Sequence, residues 1–152
     1  LTKSYYRVQG YLEGLRAHGI PFQQELLIES NFRQRSGFQS AQQLFDLPEP
    51  PTAVIACNDL LALGAISAAQ EAGYTVGQDI SITGFDDILV SEYANLTTIH
   101  QEGQEFGAML ASMLIQIIKK EPIAEKQIIV KPELVIRQSS GPCLRKGCAG
   151  VE

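Results

Sequence analysis

Apolar and polar positions along this chain recur with two periods, one helical and one strand-like, and the changes between them predict its elements. Residues 4–18 carry apolar side chains at Tyr5, Val8, Leu12 and Leu15, a helical spacing, with Ser4 as a candidate N-cap and Gly19 as a stop. A turn around Pro21 leads into residues 25–30 (ELLIES), a short apolar run suited to a buried strand. Residues 36–47 read as a helix with Phe38, Ala41, Leu44 and Phe45 on one side, ended by Pro48, Pro50 and Pro51. Residues 52–57 (TAVIAC) form the next strand, and Asn58-Asp59 offers an N-cap for a helix over 60–72 that Gly73 closes. A strand at 80–85 (ISITGF) is followed by an irregular stretch at 88–95 and a β-branched strand at 96–100 (LTTIH). Residues 102–120 are an amphipathic helix with a stripe of Phe106, Met109, Leu110, Met113, Leu114, Ile117 and Ile118. Lys119 and Lys120 suit its negative end, and Pro122 terminates it. Short strands at 127–130 and 134–137 follow, and residues 141–152, which lack periodicity, predict a frayed tail.

The stretch from Thr52 to Asp87 organises these elements as a strand, a helix and a second strand. A right-handed crossover of this kind places Asn58, Asp59, Asp86 and Asp87 on one edge of a parallel sheet, where open α/β folds bind ligands. The predicted class is α/β, a doubly wound parallel sheet with flanking helices. Asn31 and Phe32 follow the 25–30 strand and join the same edge. Arg7 joins it if a strand precedes the first helix; otherwise it is a solvated surface cation. A doubly wound sheet normally begins with a strand, so the element order predicts an incomplete fold, the back part of a longer protein. The helix over 60–72 is apolar on nearly every face, with Leu60, Leu61, Leu63 and Ile66 among five alanines. One side is expected to cover the sheet and another to meet a partner, a second copy of the chain; the bland alternative is an alanine-rich surface.

Composition narrows the function classes. At 152 residues, 45% hydrophobic and 19% charged, the chain can build one core. Its net charge of −5 and scattered Lys and Arg argue against direct contact with a phosphate backbone. No run reaches a membrane span, which predicts a soluble chain. Three cysteines, an odd count, suit free thiols in a cytosolic setting better than a disulfide scaffold, and Cys143 with Cys148 makes a poor metal pair without a histidine nearby. No phosphate-binding glycine loop or nucleophile elbow is present, and His18 and His100 lack a Ser or Cys partner, so a catalytic site is not expected, nor a metal or a cofactor. An arginine, carboxylates, an amide and an aromatic ring on one edge instead suit a polyhydroxylated ligand: charged groups pair with vicinal hydroxyls while the ring covers the apolar side of a sugar. Each member also has a plain structural reading, with Asp59 as a helix cap, Asp87 as a solvated turn residue and Phe32 as core.

Six segments then carry a resemblance: Ser4 with RVQGY (7–11), Ser36-Gly37 before a helix, PTAVIACNDLLALGA (51–65), DISITGFDD (79–87), LTTIHQ (96–101) and LVIRQS (134–139). In this order and spacing they resemble the effector-binding region of LacI-type bacterial transcription repressors, over residues 4–140. The resemblance implies a two-lobed fold similar to periplasmic sugar-binding proteins, with the effector between the lobes and operator DNA bound by a helix-turn-helix headpiece that this chain lacks. Residues 1–140 would supply the C-terminal part of the effector domain, with 96–120 crossing to the other lobe. It further implies that Arg7, Asn58 and Asp86 contact the effector, that Phe32 stacks on it and that Gln101 is a secondary candidate. The Asn58-Asp59 pair favours a sugar or sugar phosphate over a purine. A cytoplasmic homodimer is the implied assembly. The competing readings are a periplasmic sugar-binding component of a transporter and an interaction module without a ligand; a headpiece or a signal peptide upstream would separate the first from the repressor.

Overall fold

A computed structural model describes residues 2–101, 103–123 and 128–142. The chain runs α1 (Thr2–Ala17), a 3-10 turn (Gln24–Leu26), α2 (Gln34–Phe45), β1 (Ala53–Ile55), α3 (Asp59–Glu71), β2 (Ser81–Thr83), α4 (Leu89–Tyr93), β3 (Thr98–His100), α5 (Gly103–Lys119) and β4 (Glu133–Val135). β1 and β2 pair in parallel, with Val54 opposite Ile82. Parallel bridges at Thr83–Thr97 and Asp86–His100 carry the pairing on to β3, and β3 pairs antiparallel with β4, Ile99 opposite Leu134. The strands thus form two two-stranded sheets, β1-β2 and β3-β4, set side by side by those bridges.

The core lies where α3 meets the sheet and α2: Ala62, Ala65, Ala68 and Ala69 pack with Ile80, Ile82, Leu96 and Ala41. Each fully buried isoleucine there contributes roughly 1.5–3 kcal/mol. The α3 helix starts where Asn58 Oδ1 accepts from Leu61 N at 2.9 Å, and it stops where Gly73 turns at φ +83 with Tyr74 N donating to Ala69 O. Its small residues bring α2 close. A Cβ on Gly64 would lie 2.0 Å from Gln34 O, and one on Gly37 would lie 2.2 Å from Leu61 O. Two glycines thus interlock the helices at a separation no larger residue permits. The close partner of the small-residue face is α2 of the same chain.

The central strand, helix and strand stand as expected. Other elements differ. Residues 25–30 do not form a strand: after the 3-10 turn they run irregularly, because no described strand lies beside them to satisfy their backbone groups. For the same reason β1 pairs on one side only, and Ile55 is 67% exposed. Residues 128–130 are likewise unpaired, so the strand expected at 127–130 is absent over the part that is described. The irregular stretch at 88–95 contains α4, whose Ser91 is drawn inward by a carboxylate. Helix α1 begins by Thr2 and α2 by Gln34, so Ser4 and Ser36 sit inside the helices they were expected to precede. Much of the predicted α5 stripe, including Leu110, Leu114 and Ile118, remains exposed. Gly141, at the head of the expected tail, is held by hydrogen bonds to Ser81 Oγ. Cys143 and Cys148 lie outside the described residues.

Candidate functional site

Because β1 and β2 run in parallel, their C-terminal ends deliver Cys57-Asn58 and Phe85-Asp86-Asp87 to one edge. Arg7, in the first half of α1, reaches that edge. Its Nη1 donates to Cys57 O, its Nη2 lies 3.8 Å from Asp86 Oδ1, and its guanidinium stacks 3.9 Å from the centre of the Phe85 ring. The ion pair is long and half exposed, with the Asp86 side chain 41% accessible, so it is worth no more than about 1 kcal/mol. The ring adds roughly 0.5–1 kcal/mol. These weak contacts orient the guanidinium without sealing it from solvent. Phe85 was not singled out from the sequence; an aromatic ring directly before a strand-end carboxylate pair was the available signal.

Asn58 caps α3 with its oxygen and donates through Nδ2 to Phe32 O at 3.2 Å. It is thus the strap that brings the Phe32 loop to the edge. Phe32 itself has a positive φ of 62 and a partly exposed ring. Asn58, not Asp59, is the helix cap. Asp59 is completely buried, with Oδ2 accepting from Ile88 N at 2.9 Å and Ser91 Oγ at 2.7 Å, and Oδ1 accepting from Thr98 Oγ1 at 2.5 Å. One carboxylate joins the start of α3 to α4 and β3. Gly84 is required beside it, since a Cβ there would lie 2.2 Å from Asp59 Oδ1.

Asp87 is not a solvated turn residue. Its Oδ1 accepts from Arg137 Nη1 at 2.8 Å and its Oδ2 lies 2.9 Å from His100 Nδ1. Burial pushes its pKa up, but the hydrogen bonds from Arg137 and His100 and their positive charge outweigh this and hold it below the ordinary 3.8. Both aspartates have positive φ, 111 at Asp86 and 48 at Asp87, costing about 1–3 kcal/mol apiece for non-glycine residues. Gln101 follows β3 and is exposed. The structure therefore brings Arg7, Asn58, Phe32 and Asp86 to the edge through direct contacts or a shared strand end. A separate open groove of about 450 Å³ lies between residues 28–31 and α2, lined by Asn31, Ser36 and Gln39 among others, and holds none of these four. Among the described residues no group of three or more His, Cys, Asp or Glu is placed to hold a metal, and no helix is long and apolar enough to cross a membrane.

Comparison with known proteins gives this edge its context. Residues 1–140 match the periplasmic binding protein-like domain. The chain is 38% identical over 135 residues to the HTH-type transcriptional repressor PurR of Mannheimia succiniciproducens, covering 88% of this chain and 40% of that protein. It is 37% identical over 138 residues to the HTH-type transcriptional repressor CytR of Escherichia coli strain K12, covering 90% and 40%. It thus spans about 40% of the length of these relatives. A LacI family transcriptional regulator from Enterococcus faecium, solved with bound ribose, superposes with a TM-score of 0.79 at 32% identity, covering 91% of this chain and 52% of that one. Sequence and fold agree, and the chain belongs to the LacI family of transcriptional regulators, as part of their periplasmic-binding-protein-like effector domain.

Proposed function

We propose that this chain is the effector-sensing and dimerisation part of a LacI-type regulator. In this reading a small sugar or sugar phosphate settles on the Arg7–Asn58–Asp86 edge and changes operator binding by a helix-turn-helix headpiece outside the chain. The family is one of transcriptional repressors and not of enzymes. The observation that carries the reading is the Arg7 guanidinium, held between Cys57 O and the Asp86 carboxylate at the strand ends. A cation and a carboxylate side by side offer the paired donors and acceptors that vicinal hydroxyls require, and the exposed Phe32 ring offers a face for an apolar side of a sugar. The ribose bound to the Enterococcus faecium relative supports the same ligand class. A regulator of this kind works in the cytoplasm on DNA.

The test uses the full-length protein, with a sugar panel read by thermal shift and by release of operator DNA. Arg7→Ala and Asp86→Ala each remove charge-assisted hydrogen bonds worth about 1.5–3 kcal/mol, so effector affinity falls roughly 10- to 150-fold while operator affinity is unchanged. Unaltered induction in both variants refutes the site.

Dimerisation rests on a different surface. With one side of α3 taken by α2, exposed apolar side chains that suit a partner are Leu60 at the start of α3 and Leu89, Val90 and Tyr93 on α4, the last 78% exposed. Asp59 ties the start of α3 to α4 through Ile88 N and Ser91 Oγ. Sedimentation of the full-length protein at micromolar concentration is expected to show a dimer that Tyr93→Glu dissociates; a parent protein that sediments as a monomer overturns this assignment.

A further inference from the structure

In the effector reading Asp86 faces the ligand, and the residue after it, Asp87, is anchored by contacts from distant parts of the chain. Its φ of 111 is one that residues with a side chain rarely adopt, and Asp87 at φ 48 follows it. Two such residues in succession persist only where the surroundings over-determine them. The Arg7 contact does not do so, being 3.8 Å long with a partner 41% exposed. Asp87 is held much harder. Its side chain is only 14% exposed and is gripped from two sides, by His100 at the end of β3 and by Arg137 just beyond β4. Arg137 Nη1 divides its two hydrogens between Asp87 Oδ1 and Leu96 O, both at 2.8 Å. The Arg137 backbone is itself fixed, its N donating to Thr97 Oγ1 at 2.8 Å and its O accepting from the same hydroxyl at 3.0 Å. Beside this, Asp86 N donates to Ile99 O at 3.0 Å.

We propose that Asp87, clamped between His100 and Arg137, is the positioning residue that aims the Asp86 carboxylate at the Arg7 edge. The inference rests on the effector reading above for what Asp86 does, and on contacts independent of that reading for how Asp86 is held. His100 and Arg137 lie on the two chain passages that flank α5 in sequence. The clamp therefore joins the ligand edge to both. Arg137 is suited to this as a planar donor that reaches a carboxylate and a carbonyl together, which a lysine cannot reproduce with the same geometry.

The experiment has two arms on the full-length protein. In the first, amide hydrogen exchange is compared at Asp86, whose N–H pairs with Ile99 O beside the clamp, and at Ile82, whose N–H pairs with Ser139 O in the core. Asp87→Asn and Arg137→Gln are expected to speed exchange at Asp86 by roughly tenfold or more with Ile82 within about twofold of the parent, the signature of local opening. His100→Gln, which keeps a donor toward Asp87, is expected to stay within about threefold at both amides. No change at Asp86 overturns the proposal, and so does equal acceleration at Asp86 and Ile82, which marks a general loss of stability. In the second arm, ribose binding is titrated. Where the parent binds ribose, Asp87→Asn is expected to weaken it about tenfold without altering operator affinity, and unchanged ribose affinity overturns the proposal. Where the parent and Arg7→Ala both ignore ribose, it is ribose as effector that fails, and the exchange arm alone decides the clamp.

Discussion

Replacing Gly64 by alanine tests the claim that two glycines set the spacing of α2 and α3. A Cβ at Gly64 would sit 2.0 Å from Gln34 O and 2.6 Å from Phe38 N, where ordinary contact begins at 3.4 Å. The overlap of more than an ångström is with backbone, which cannot rotate aside as a side chain can. Helix α2 must therefore shift bodily, and the shift loosens Ala41 and Leu44 against the core. Overpacking of this kind costs about 1–3 kcal/mol, and a clash with backbone belongs at the upper end. Against it stands the helix preference of alanine over glycine, about 1 kcal/mol. The net expectation is destabilisation by about 2 kcal/mol, which for a chain of this size lowers Tm by roughly 4–8 °C. The matched control is Gly14 in α1, exposed and with no atom within 4 Å of the added carbon. There the clash is missing and only the propensity term remains, so Gly14→Ala stabilises by about 0.5–1 kcal/mol. Urea and thermal unfolding followed by helical circular dichroism measure both variants against the parent. A Gly64→Ala protein as stable as the parent would refute the interlock, because the same substitution would then behave as it does on open surface.

Asp59→Ala leaves Ile88 N, Ser91 Oγ and Thr98 Oγ1 without their shared acceptor in a fully buried setting. Its expected cost is about 3–5 kcal/mol in chemical denaturation, since buried donors are left unsatisfied, and a loss below about 1 kcal/mol would show that the network is dispensable. The lowered pKa of Asp87 predicts a pH effect with a definite sign. The folded state binds that proton less readily than the unfolded state, so the stabilisation is complete above the unfolded value near 3.8 and is lost as pH falls through the lower folded value. The stability difference between the parent and Asp87→Asn is therefore expected to shrink as the pH falls below about 4. A difference that grows on acidification contradicts the assignment.

How far residues alone reveal the site depends on how local the cause is. The strand, helix and strand from Thr52 to Asp87 were legible because the pattern and caps that produce them lie within the segment: alternating apolar runs, Asn58 at the helix start and Gly73 at its end. The shared edge of Asn58 and Asp86 followed from the parallel direction that a strand, helix and strand in succession give the two strands. The roles of Asp59 and Asp87 were not legible: the plain readings open to them, a cap and a solvated turn, differ from the buried junction and the clamped carboxylate of the structure. Their partners are distant in the chain, Thr98 for Asp59 and Arg137 for Asp87, and no local pattern announces a pairing across 39 or 50 residues. The ELLIES segment erred in the opposite direction: its composition suits a strand, yet a strand forms only beside a neighbour that pairs with it.

The sequence by itself thus determined the α/β class, the extent of the long helices and which polar residues stand at the strand ends, because periodicity, capping and chirality act over short spans of chain. Only the tertiary structure decided that α2 occupies the small-residue face of α3, that Asp59 is a buried junction, and that Asp87 is clamped by His100 and Arg137 next to the carboxylate facing Arg7. Those outcomes depend on burial and on which distant donors arrive at the same point, and such convergence is a property of the folded chain.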